Sequence, residues 1–146
     1  MIEIERRIAA RPATIFAYFT DSALYTTWMG VDAVLDARPG GTYRVRVPQG
    51  QVALGEFVEL DPPHRLTFTW GWEGDDQVPP GSSTVTVTLV PDGDGTILRL
   101  THDGLPKESM SLHLQGWEHY LKRLTASATR ADPGTDSPKS TSMPSE

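Results

Sequence analysis

Six apolar residues near the end of the chain constrain the fold most. Met110, Leu114, Trp117, Leu121, Leu124 and Ala128 follow one another at steps of four, three, four, three and four. This spacing predicts an amphipathic helix over 109–128 with one continuous apolar stripe. Gly116 sits inside it, where glycine costs roughly 1 kcal/mol relative to alanine. Such a stripe needs an apolar partner, and the sequence before it supplies one in short strands.

Ile2, Ile4 and Ile8 alternate with charged residues and predict a first strand. Pro12 opens a short helix carrying Ile15, Phe16, Tyr18 and Phe19. Asp21 is a candidate N-cap for a second short helix bearing Leu24 and Trp28. Strands are then expected over 31–37, 42–47, 51–60, 65–72, 83–90 and 96–102, separated by Gly, Pro and Asp turns. Gly55 inside the fourth strand predicts a bulge or a sharp bend. In the fifth, Leu66, Phe68, Trp70 and Trp72 share one face. Tight turns force antiparallel neighbours, and a mostly antiparallel sheet with helices on one face is the α+β class. A curved sheet of six to seven strands is expected around the long C-terminal helix, with a pocket between them. Residues 129–146 are rich in Ser, Thr, Pro and Asp without apolar periodicity, so a disordered tail is expected after a domain spanning 1–128.

Composition removes several function classes. The net charge of -6 argues against nucleic-acid or anionic-membrane partners. With no cysteine there is no disulfide, thiolate nucleophile or zinc–thiolate site. The start, MIEIERRI, reads as a strand and not as a signal peptide, and no apolar run reaches the ~20 residues of a membrane helix. A soluble, cytoplasmic chain without membrane insertion is expected.

The segments PATIFAYFTD, LYTTW, ARPGGTYRV, GEFVELDPPHRLTFTW, TVTVTLVPDGDGTILRLTHDGL and HLQGWEHYLKRL occur in this order. Together they resemble the activator of Hsp90 ATPase homologue 1-like (AHSA1-like) branch of the START/Bet v 1-like (SRPBCC) superfamily, over about residues 1–127. The resemblance implies a helix-grip fold, an antiparallel sheet wrapped around a long C-terminal helix and an apolar cavity. It also implies binding of lipids, polyketides or other hydrophobic small molecules, and some superfamily members are cyclases or hydrolases. The co-chaperone role in the family's name belongs to larger eukaryotic members with a further N-terminal domain, and is not carried over.

The candidate pocket lining consists of Trp28, Tyr43, Phe57, Phe68, Trp70, Trp72, Leu100, His102, His113, Trp117 and Tyr120. Ligand pockets are mostly apolar and aromatic with a few placed polar groups. For any one of these rings, plain core is the alternative reading. His102, on a strand face shared with Leu98 and Leu100, and His113, on the stripe side of the helix, are pocket groups able to titrate near neutral pH, or hydrogen-bonded structural histidines. No nucleophile-elbow pattern pairs a serine with a histidine. His102, His113 and His119 make an improbable zinc trio, since His113 and His119 diverge on the helix; no metal and no cofactor are expected. Arg44 and Arg46 read as solvent-facing. Glu56 or Glu59 would enter the pocket only if the Gly55 bend inverts the alternation.

These residues point to binding of a hydrophobic small molecule. The alternatives are a cyclase or hydratase acting through His102 or a pocket glutamate, and a ligand-free, co-chaperone-like interaction module. An exposed strand edge would also allow a homodimer.

Overall fold

A computed structural model describes residues 1–132. The elements follow in the order β1 (Ile2–Ile8), α1 (Pro12–Thr20), α2 (Ser22–Tyr25), β2 (Asp32–Leu35), β3 (Thr42–Arg46), β4 (Val52–Asp61), β5 (Arg65–Trp70), β6 (Ser83–Asp92), β7 (Gly95–Asp103) and α3 (Lys107–Ala131). The strands form one seven-stranded antiparallel sheet in the order β1-β7-β6-β5-β4-β3-β2. Consecutive strands from β2 to β7 are neighbours because each is joined to the next by a short turn or loop; β1 closes on β7, with Ile2 opposite His102 and Ile8 opposite Thr96. This is the α+β helix-grip arrangement, with α3 packed against the concave face.

Local signals account for most boundaries. Pro12 occupies the first turn of α1, where its missing N–H is not needed. The Asp21 carboxylate accepts the Leu24 N–H and caps α2, which ends at Tyr25; Trp28 follows in a turn, fully buried, donating its indole N–H to the Tyr18 carbonyl at 3.0 Å. The bend in β4 has two parts. A Cβ on Gly55 would stand 2.0 Å from the Thr69 carbonyl oxygen, so only glycine permits this approach of β4 to β5. The register then slips between Phe57 and Glu59. β5 ends at Trp70, and Trp72 makes only an isolated bridge to Ala53. Arg44 and Arg46, expected in solvent, are half-buried.

The core joins Ile4, Ile8, Phe19, Trp28, Tyr43, Phe57, Phe68, Val87, Leu98 and Leu100 to Trp117, Leu121, Leu124 and Ala128 of α3. Burial of a large apolar side chain is worth about 1.5–3 kcal/mol, so the C-terminal half of α3 is what holds the helix down. Its N-terminal half is less well covered. Met110 is half-buried, and Leu114, assigned to the stripe by spacing, is 36% exposed. Met110 still packs against the core from its half-buried position, whereas Leu114 is left at the surface.

The expected boundary at residue 128 also moves. Residues 129–131 continue α3, and Asp132 is buried beneath the start of α1. Its carboxylate accepts from the Arg11 backbone N–H at 3.2 Å, Arg11 Nε at 3.3 Å and the Thr14 hydroxyl at 2.5 Å. Arg11 has no side-chain cap of its own, so the last turn of the domain caps its first helix. The rest of the expected tail lies outside the described residues. Burial by itself would raise the Asp132 pKa; the hydrogen bonds from Thr14 and Arg11, with the Arg11 charge, outweigh it and hold the pKa below the usual carboxylate value. Asp132→Ala is expected to cost about 2 kcal/mol at pH 7. A depressed carboxylate contributes above its unfolded pKa and loses that contribution as pH falls through the folded value. The cost should therefore shrink below about pH 4; urea unfolding at pH 7 and pH 3.5 measures it.

Candidate functional site

The N-terminal half of α3 roofs a cleft of about 640 Å³. Trp70, Trp72, His113, Trp117 and Tyr120, all anticipated as lining, form part of its wall. Trp28, Tyr43, Phe57, Phe68 and Leu100 lie in the core, outside that wall. Tyr43 shows why: its ring stacks on Phe68 at 4.2 Å and 16°, and its hydroxyl pairs with that of Tyr25. Burial pushes both phenols well above their ordinary pKa, so they remain protonated. His102 is fully buried behind the cleft wall.

Trp70 is the hub of the aromatic wall. Its ring centroid lies 5.2 Å from Trp72, 5.3 Å from Trp117, 5.7 Å from His102 and 6.3 Å from His113. Edge and tilted contacts of this kind are favourable beyond the area they bury. Two indole–imidazole bonds lock the group. Trp117 Nε1 donates to His102 Nδ1 at 3.0 Å, which leaves the ring proton on Nε2; that nitrogen lies 2.8 Å from Ser83 Oγ. Ser83 in turn donates to the Trp70 carbonyl at 2.8 Å. On the other side, Trp72 Nε1 donates to His113 Nε2 at 3.0 Å, and His113 Nδ1 reaches the Ser109 carbonyl at 2.9 Å.

These bonds define the chemistry of the histidines. Burial, assisted by the nearby His113, lowers the His102 pKa to about 3. His102 is thus neutral near pH 7, with both nitrogens engaged and no lone pair left for a substrate proton. Ser83 and His102 do form a serine–histidine pair, which no local motif disclosed because they come from adjacent strands, β6 and β7. The pair is not an activated nucleophile, since the imidazole donates to the serine. Glu56 and Glu59 are exposed, and Glu59 is held by Arg65 at 3.2 Å. Among the described residues no group of three or more His, Asp or Glu side chains could hold a metal ion.

Several wall residues escaped the sequence reading. Met29 follows α2; Val47, Gln49 and Gln51 belong to the β3–β4 turn; Asp75, Gln77 and Val78 come from the loop after β5; and Glu108, Leu112 and Gln115 belong to α3. The loop is shaped by Asp75, whose carboxylate accepts the N–H groups of Gln77 and Val78 at 2.7 and 3.0 Å. Those bonds hold its pKa below the usual value. The run DDQVPPG between strands was the available signal, but nothing local says that it folds toward α3. Gly116 also lines the cleft, and a Cβ there would meet nothing within 4 Å. Close approach to the sheet is therefore not its role; it leaves space.

An AHSA1-like protein from Rhizobium etli is 44% identical, covering 99% of this chain and 91% of its own, with a TM-score of 0.72. A protein from Mesorhizobium loti has a TM-score of 0.80 at 24% identity, covering 90% of this chain and 98% of its own. An HSP90 activator from Plasmodium falciparum is 27% identical with a TM-score of 0.70, covering 86% of this chain and 93% of its own. No curated protein matches the sequence. Among the described residues no helix is long and apolar enough to cross a membrane. The model of the family described as "Activator of Hsp90 ATPase homolog 1-like protein" matches residues 9–129, and with a helix-grip sheet closed on α3 the chain belongs to that AHSA1-like family, within the START-like (SRPBCC) superfamily.

Proposed function

We propose that this protein binds a hydrophobic small molecule in the cleft beneath the N-terminal half of α3. The observation that carries this reading is the cleft itself: about 640 Å³, walled by Trp70, Trp72, Trp117 and Tyr120. Its size falls within the range of small-molecule sites, and aromatic walls with a few polar groups are their usual lining. Catalysis through His102, Glu56 or Glu59 finds no support in the geometry, since the first is spent in hydrogen bonds and the other two face solvent.

Gly116 offers a test that separates binding from folding. Gly116→Leu should raise the melting temperature, because leucine is a far better helix former and its Cβ has room. The same side chain would project into the cleft and abolish binding. Native mass spectrometry and tryptophan fluorescence with fatty acids, aromatic polyketides and flavonoids would read both effects. If no compound binds the natural protein, or if Gly116→Leu binds as well as it does, the reading fails.

Similarity to the Plasmodium HSP90 activator favours a second reading, in which the domain contacts a chaperone. Exposed Leu112 and Leu114 on α3 would be available for it. Stimulation of an Hsp90 ATPase that is lost in Leu114→Glu, a change outside the cleft wall, would favour this reading over the first.

A further inference from the structure

The cleft wall also carries information about charge. Among the described residues that line it are two carboxylates, Asp75 and Glu108, and four amides, Gln49, Gln51, Gln77 and Gln115, but no lysine or arginine. Both His113 nitrogens are already engaged, Nε2 by the Trp72 N–H and Nδ1 by the Ser109 carbonyl, so neither is free to meet a ligand. His119 stands exposed, its ring 5.0 Å from that of Tyr120. An anionic head group entering here would lose water without gaining a fixed cation and would meet two carboxylates.

A second observation concerns the tryptophans. The chain has four. Trp28 donates to the Tyr18 carbonyl, Trp72 to His113 and Trp117 to His102. Trp70, 3% exposed and part of the cleft wall, has a buried indole N–H with no acceptor among the described residues. Buried indole N–H groups usually find a partner, and one left unmet is costly.

Resting on the binding reading above, we infer that the ligand is an uncharged aromatic compound whose carbonyl or hydroxyl oxygen accepts the Trp70 N–H. The ring system packs against the wall formed by Trp70, Trp72 and Trp117, and the four glutamines serve further neutral polar substituents. Fatty acids and phosphorylated lipids are selected against, as are aromatic carboxylates.

Three probes with one ring system and different heads test this by titration calorimetry on the full chain at pH 7.5: acetylnaphthalene, ethylnaphthalene and naphthoate. Acetylnaphthalene should bind about tenfold tighter than ethylnaphthalene, the effect of one hydrogen bond to a buried donor. Naphthoate should bind at least about tenfold weaker than acetylnaphthalene, because its charge is desolvated without a partner. Trp70→Phe should bring acetylnaphthalene down to the level of ethylnaphthalene while both still bind. Naphthoate binding as tightly as the ketone would overturn the inference and leave the cleft as a binding site. Equal binding of the ketone and the hydrocarbon by the natural protein would overturn the role of Trp70, without needing the variant to fold. If none of the three binds while a fatty acid does, the inference fails and the cleft reading stands; if neither they nor the fatty acids, polyketides and flavonoids bind, both fail.

Discussion

Replacing His102 with leucine is expected to lower the unfolding free energy at pH 7 by about 3 kcal/mol, since it leaves the Trp117 N–H buried without an acceptor and strips Ser83 of a donor. Leucine has nearly the volume of histidine, so the loss reports the hydrogen bonds and not a cavity. Its pH dependence distinguishes a neutral, satisfied imidazole from an ordinary one. The His102 pKa falls from 6.5 to about 3 on folding. A base with a depressed folded pKa stabilises the fold fully above its unfolded pKa. That contribution is lost as pH falls from 6.5 through about 3, at up to about 1.4 kcal/mol per pH unit. The leucine variant has no such group. The gap between the two proteins should thus narrow by about 2 kcal/mol between pH 6.5 and pH 5. Urea unfolding at pH 7.5, 6 and 5 measures the gap, and a gap that stays constant would show that His102 is not held neutral.

Gly55→Ala should be the more damaging of two superficially equal changes. The new Cβ would lie 2.0 Å from the Thr69 carbonyl oxygen and 2.4 Å from its carbon, both backbone atoms. Neither can move without parting β4 from β5, where Phe57 pairs with Phe68 and the Thr69 hydroxyl accepts the Glu56 N–H at 2.9 Å. A cost above about 3 kcal/mol is expected, enough to lower the melting temperature by about 10 °C or to prevent folding. Gly116→Ala is the control. It sits in a helix with open space around its Cβ and should stabilise by about 0.5–1 kcal/mol. Differential scanning calorimetry on the two variants decides the matter. Similar melting temperatures would mean that the bend in β4 does not depend on glycine.

Which features were legible beforehand follows from the range of the forces involved. The amphipathic period of α3, the alternation in β6 and β7, the capping of α2 by Asp21 and the hairpin at Gly93 and Asp94 are set by residues within a few positions of one another. All could be read from the sequence. Leu114 could not be placed. Its spacing is that of a buried residue, but whether a stripe is covered depends on where the sheet curves. Asp132 was assigned to a tail because nothing apolar surrounds it, whereas its anchor is a set of hydrogen bonds to residues at the other end of the chain.

The candidate site divides in the same way. Trp70, Trp72, Trp117 and His113 were marked by their shared faces on a strand and a helix. Periodicity reports a face and not what lies opposite it, so the same reasoning could not separate Tyr43, Phe57 and Phe68, packed on one another, from the rings that border the cleft. Nor could it foresee that His102 would meet both Trp117 and Ser83, three residues from three elements. By itself the sequence determined an antiparallel sheet, a long helix with one apolar face and the residues that turn inward. Only the tertiary structure decided where the two surfaces part, which tryptophan N–H is left without an acceptor and which histidine is spent, because each is a contact between residues distant in sequence.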